Sequence, residues 1–123
     1  MKKLILLLLF CITLLPANNN IKYGKMVLLY VEMDYCQWCK KMDREVFDDN
    51  TRFQQLKKVF HIARITKESG NMPSFIKPKY YPTTYILSSD GESIVEEIEG
   101  YMKPKRYIQY LKTLDEIERS PDY

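Results

Sequence analysis

The stretch from Met26 to Lys41, MVLLYVEMDYCQWCKK, leaves few folds open. Its first eight residues are mostly apolar and rich in strand formers, which reads as a buried strand. Two residues later comes a Cys-x-x-Cys pair, Cys36 and Cys39. After the pair, Met42 and Val46 lie four apart, the spacing of one helical face, so a helix starts at or near the cysteines. A buried strand thus runs straight into two thiols at the head of a helix.

The rest of the chain extends this pattern. Thr51 and Gln54 have capping-box spacing and open a second helical segment carrying Phe53, Leu56 and Phe60. His61 to Thr66 reads as a second buried strand, and 67–72 as a loop. Pro73 opens a short helix that Pro78 cuts off. Thr83 to Leu87 is strand material, Asp90-Gly91 marks a tight turn, and Glu92 to Glu99 alternates as the returning strand. From Lys103 to about Arg119, Tyr107, Tyr110, Leu111, Leu114 and Ile117 form the apolar stripe of an amphipathic helix. The order β, α, β, α, β, β, α predicts an α/β fold, a central mixed β-sheet flanked by helices.

The first residues read as an export signal. Lys2 and Lys3 precede an apolar run from Leu4 to Leu15, then Pro16 and the small Ala17. The run falls short of the ~20 residues of a comfortable bilayer span. An uncleaved anchor is the alternative. The expected organisation is a signal peptide over 1–17, a polar spacer over 18–24 and one domain over 25–120. Cleavage would remove Cys11, leaving Cys36 and Cys39 alone in an oxidising compartment. Losing Lys2 and Lys3 as well takes the formal charge from +3 to +1, so no nucleic-acid partner is expected.

A thiolate, not a thiol, attacks a disulfide. A cysteine at the first turn of a helix faces free backbone N–H groups and the positive end of the dipole, both of which favour the thiolate. Cys36 holds that position and is the expected nucleophile. Cys39, one turn on, would resolve the mixed disulfide. A static staple is weakly motivated, because so short a loop barely restricts the unfolded chain. A zinc site needs four ligands, and beyond these two cysteines the predicted domain has one histidine, His61. No metal is expected.

Three separated features coincide: Cys36-Gln37-Trp38-Cys39 between strand and helix, Tyr81-Pro82-Thr83 before a strand, and Ser89-Asp90-Gly91 followed by Gly100-Tyr101 around the closing hairpin. Together they resemble the thioredoxin-like fold in its exported form, over roughly residues 25–117. The resemblance implies a cis Tyr81–Pro82 bond beside the cysteines and a Tyr81 backbone edge that docks an extended substrate. Trp38, Tyr81, Pro82 and Thr83 are then the substrate-binding residues, though Trp38 could equally pack locally.

The sequence also departs from the family pattern. Tyr35 stands where thioredoxins place Trp before the first cysteine, and Gln-Trp replaces Gly-Pro between the two. Tyr30 occupies the position of the buried Asp that accepts a proton from the second cysteine. Glu32 is the nearest acid on the same strand face, since alternation puts it beside Tyr30. It is the candidate acid/base partner of Cys39, with a solvated acid at a strand end as the competing reading.

The expected activity is thiol–disulfide exchange on exported proteins through Cys36 and Cys39, with reduction favoured because Trp38 does not stabilise a thiolate as a cationic histidine would. Electrons would come from a membrane or periplasmic partner, since there is no nucleotide motif. No cofactor and a monomer are expected. A dithiol oxidase or isomerase and a non-catalytic peptide-binding module are the alternatives.

Overall fold

The computed structural model describes residues 24–120. The signal segment and most of the polar spacer expected from the sequence lie outside them. Four strands, β1 (Val27–Glu32), β2 (His61–Thr66), β3 (Thr83–Leu87) and β4 (Ile94–Glu99), form one mixed sheet in the order β2-β1-β3-β4. β1 runs parallel to β2 and antiparallel to β3, and β3 and β4 form an antiparallel hairpin. The helices are α1 (Gln37–Met42), α2 (Asn50–Lys57) and α3 (Pro104–Arg119). α1 continues through a π-helical turn, Asp43–Phe47, closed by the Asp48 N–H donating to the Asp43 carbonyl at 2.7 Å. This is the thioredoxin-like α/β architecture.

β1 is central because both of its faces are apolar. Leu28 and Tyr30 point to one side, where Met42, Val46, Phe47, Leu56, Tyr107 and Leu111 cover them from the three helices. Leu29 and Val31 point to the other, against Ile76, Tyr85 and Leu87. Burying such side chains contributes about 1.5–3 kcal/mol each, the main stabilisation of the sheet.

Four sequence expectations are corrected. The cap of α2 is Asp49, whose Oδ1 accepts from the Arg52 N–H at 2.9 Å, not Thr51. β2 is an edge strand with no fully buried residue. Ile62 and Ile65 sit an odd number apart, so each sheet face receives only one of them. No helix forms between Pro73 and Pro78. A segment that short cannot offset helix nucleation, and a residue before proline disfavours the helical region. A single turn remains, with the Ile76 N–H donating to the Pro73 carbonyl at 3.0 Å and Ile76 buried. On α3 the buried stripe is Tyr107, Ile108 and Leu111, while Tyr110 and Ile117 face solvent. The β3–β4 turn follows the sequence signal: Gly91 has φ 75°, a left-handed conformation that glycine adopts without steric cost.

Candidate active site

The strand-to-helix junction fixes the sulfur positions. Cys36 is the N-cap of α1, and its Sγ accepts the Cys39 backbone N–H at 3.1 Å. The same N–H would donate to a Cys36 thiolate, a charge-assisted bond that favours the ionised form. The two cysteines are joined as a disulfide. Both are largely buried, Cys36 6% and Cys39 2% exposed.

The second element comes from the loop before β3. The Tyr81–Pro82 peptide bond is cis. The Tyr81 carbonyl oxygen lies 3.7 Å from Cys36 Sγ. Two hydrogen bonds hold this backbone: the Thr83 hydroxyl donates to the Tyr80 carbonyl at 2.6 Å, and the Gly100 N–H donates to the Pro82 carbonyl at 2.7 Å. Strand pairing on both sides of β3 begins only at Thr83. Cys36, Tyr81, Pro82 and Thr83 are therefore brought together.

Trp38 points outward, 56% exposed, and does not pack into the core. Its ring lies 5.3 Å from that of Tyr101, with the Lys41 ammonium 5.5 Å and 4.9 Å from the two ring centres. Trp38, Tyr80, Tyr81, Glu99, Gly100 and Tyr101 line one cleft beside the disulfide.

Glu32 lies on the helix-facing side of β1, as alternation requires, but its partners are new. Arg64 of β2 reaches across, 3.7 Å from Glu32 Oε2, 3.0 Å from Asp43 Oδ1 and 3.5 Å from Asp48 Oδ1. Glu32 Oε2 and Asp43 Oδ1 are buried without a well-aligned hydrogen-bond donor. Burial, with Asp43 adding to it and Arg64 opposing, pushes the Glu32 carboxyl up to about 7. Above them the Tyr30 hydroxyl donates to the Cys39 carbonyl at 3.3 Å, and its ring stacks on Phe47 at 4.1 Å. Neither Glu32 nor Asp43 hydrogen-bonds a cysteine sulfur among the described residues.

Asp43, Arg64 and Tyr80 were not singled out by the sequence, and Tyr101 only as a mark of the closing hairpin. Asp43 had a local signal, standing one turn after Cys39. Arg64 had none, since it meets Glu32 and Asp43 only through the parallel pairing of β2 with β1.

The family model for the thioredoxin-like domain matches residues 17–115. No curated protein matches the chain by sequence. Among solved structures, thioredoxin-2 of the malaria parasite, described as a component of its protein secretion machinery, superposes with TM-score 0.59 at 15% identity, over 73% of this chain and 84% of its own. The periplasmic thioredoxin SoxS of Paracoccus pantotrophus, in its reduced form, gives 0.59 at 18% identity, over 75% of this chain and 97% of its own. The reduced C-terminal domain of DsbD from Neisseria meningitidis gives 0.51 at 23%, over 74% and 82%. At these identities the structures speak to the fold. The family match and the Cys36–Cys39 pair at the helix start carry the conclusion: the chain belongs to the thioredoxin-like family and is a thiol–disulfide oxidoreductase.

Proposed function

We propose that the protein reduces disulfides of exported proteins, receiving its electrons from a separate membrane or periplasmic partner and working as a monomer. The observation that carries this reading is the Cys36 sulfur, held by the Cys39 N–H at 3.1 Å and 3.7 Å from the Tyr81 carbonyl. A nucleophile with a stabilised charge thus sits beside backbone that a substrate strand can pair with. The pattern of residues 1–17 supports export, and the absence of a cation between the cysteines supports the reducing direction.

In the reaction the Cys36 thiolate attacks one substrate sulfur. A mixed disulfide forms and the other substrate sulfur leaves as a thiolate. Cys39 then attacks Cys36 Sγ, giving the Cys36–Cys39 disulfide and the second substrate thiolate. The substrate gains two electrons and this chain loses two. Glu32, the acid nearest Cys39 on its strand face, is the proposed acceptor of the Cys39 proton. Trp38, Tyr81, Pro82 and Thr83 hold the substrate.

The Cys39→Ser variant tests the reading, because it stalls at the mixed disulfide. Expected is a covalent adduct with exported proteins that a reductant releases and that Cys36→Ser does not form. Equilibration with glutathione then fixes the direction; a couple more oxidising than about −180 mV would point to a dithiol oxidase or isomerase instead. The low exposure of both cysteine residues favours a second reading, a peptide-binding module with an inert disulfide. In that case reduced Cys36 would resist alkylation at pH 6, where an activated thiolate reacts.

A further inference from the structure

Two clefts meet at Trp38. The first, beside the disulfide, is walled by aromatic rings and the Glu99 carboxylate. The second runs along the outer side of α1 and is lined by Gln37, Trp38, Lys40, Lys41 and Arg44. It holds three cations and no carboxylate. Lys40 and Arg44 stand one helical turn apart, both exposed, and neither makes an ion pair among the described residues. The neighbouring acids are engaged elsewhere. Asp43 faces Arg64, and Glu45 accepts the Tyr101 hydroxyl while standing one turn from Lys41. What remains is an unneutralised basic strip joined through one exposed indole to the aromatic cleft, whose lining residue Tyr81 has its carbonyl oxygen 3.7 Å from Cys36 Sγ.

We infer that the two clefts together take one extended segment of a partner protein, in which an apolar or aromatic residue beside the cysteine lies in the Trp38–Tyr80 groove and acidic residues further along lie against Lys40 and Arg44. This rests on the exchange reaction proposed above and names its substrate class. Aromatic walls favour a flat apolar side chain. Guanidinium and ammonium groups on a rim mainly raise the rate of encounter with an acidic segment, and salt weakens that effect. Glu99, which lines the aromatic cleft and not the basic one, repels the same acids and so favours the orientation that places them at Lys40 and Arg44.

The test uses the full protein, reduced with dithiothreitol and freed of it, against four disulfides. Two are disulfide-linked peptides of equal length, each with a Phe beside the cysteine, one flanked by Glu-Glu and the other by Lys-Lys. The third is neutral 2-hydroxyethyl disulfide and the fourth is glutathione disulfide. Expected is a second-order rate constant for this single round of exchange about tenfold higher for the acidic peptide than for the basic one at low salt, shrinking to about twofold near 0.5 M salt. The double variant Lys40→Glu with Arg44→Glu is expected to bring the ratio to one or below by raising the rate on the basic peptide, a gain that a misfolded protein cannot show. Trp38→Ala is expected to lower both peptide rates and leave their ratio unchanged. Equal rates for the two peptides, or a ratio that the double variant leaves in place, overturn the inference while the neutral disulfide is still reduced. If the neutral disulfide is not reduced either, the exchange reading has failed. Glutathione disulfide reacting as fast as the acidic peptide would show that charge alone suffices, and the extended segment would be overturned.

Discussion

The two faces of the sheet are built differently. The helix-facing side buries thirteen residues in one cluster with α1, α2 and α3 packed over it, whereas the opposite side buries five among the described residues. Its cover is the irregular segment between β2 and β3, which contributes Ile76 and the partly buried Met72 and Tyr81. The active site straddles this seam. The cysteines belong to α1, on the densely packed side, while Tyr81 and Pro82 arrive from the sparsely packed one. Close packing on one side holds the nucleophile in place. On the other, fewer buried side chains anchor the segment that carries Tyr81 and Pro82. Stability and substrate grip are therefore expected to respond to different mutations.

The largest effect is expected on the helical side. Leu111 is fully buried beneath α3. Leu111→Ala removes its contacts and leaves a cavity that three packed helices cannot close, costing about 3–4 kcal/mol. For a domain this size, that lowers Tm by at least 12 °C, at about 4 °C or more per kcal/mol. Thermal unfolding followed by circular dichroism measures it. Below the transition, exchange with a small neutral disulfide is expected to stay near the parent rate. Ile76→Ala is the counterpart on the loop side. Its surroundings lack regular structure and can relax, so the expected cost is only about 2 kcal/mol. Here the substrate grip suffers: KM for a disulfide peptide rises several-fold while kcat holds. If the two variants lost stability and peptide binding in the same proportion, the contrast between the faces would be wrong.

Glu32 offers a smaller and sharper test, because it lies at the end of β1 under the helical side. Its carboxyl is pushed up to about 7, chiefly by burial. The folded protein thus holds this proton more tightly than the unfolded chain does. Stability from this group is complete below the ordinary glutamate range, near pH 4, and is lost as pH rises through about 7. The side chain is 16% exposed and faces Arg64, so screening trims the effect to on the order of 1 kcal/mol. Urea unfolding of the oxidised protein at pH 5 and pH 8 measures it. Glu32→Gln is expected to flatten the difference by that amount and to remove the inflection near pH 7 in the rate of Cys39-dependent resolution. An unchanged rate profile would take Glu32 out of the proton path and leave it a buried partner of Arg64.

The contrast between the faces also explains what the sequence disclosed. Most elements carry local signals: Met42 and Val46 four apart, the apolar stripe from Tyr107 to Ile117 on α3, a glycine at the hairpin. Each of these is local, and each element appears where its residues indicated. The loop side has no period. Ile76 is buried between two prolines for reasons that lie in Val31, Tyr85 and Leu87, far away along the chain. β2 shows the same limit, since its apolar residues are compatible with a buried strand and only the sheet order makes it an edge. Within the site, Cys36, Cys39 and Pro82 were legible because their chemistry depends on spacing and on resemblance. The Arg64 link between Glu32 and Asp43 was not, because strand register creates it. On α3, Tyr110 and Ile117 fit a helical stripe as well as Ile108 does, and only the position of the sheet decides which are covered.

Tyr35 gives the smallest expected effect and bears directly on the seam. It precedes Cys36 with φ 58° and its side chain is 96% exposed. A tyrosine in the left-handed region costs roughly 1 kcal/mol, and an exposed ring returns nothing by burial. Tyr35→Gly relieves that cost but adds freedom to the unfolded chain, so stability is expected to change by no more than ~0.5 kcal/mol. Tyr35→Val, which tolerates this conformation poorly, is expected to lose about 1 kcal/mol or more. Denaturant midpoints for the three proteins check both. The backbone turn itself is needed to deliver Cys36 to the head of α1, and glycine supplies it as well as tyrosine does. If the ring contacts the partner, Tyr35→Gly raises the peptide KM about threefold with no loss of stability. An unchanged KM would confine the substrate grip to the loop side and to Trp38.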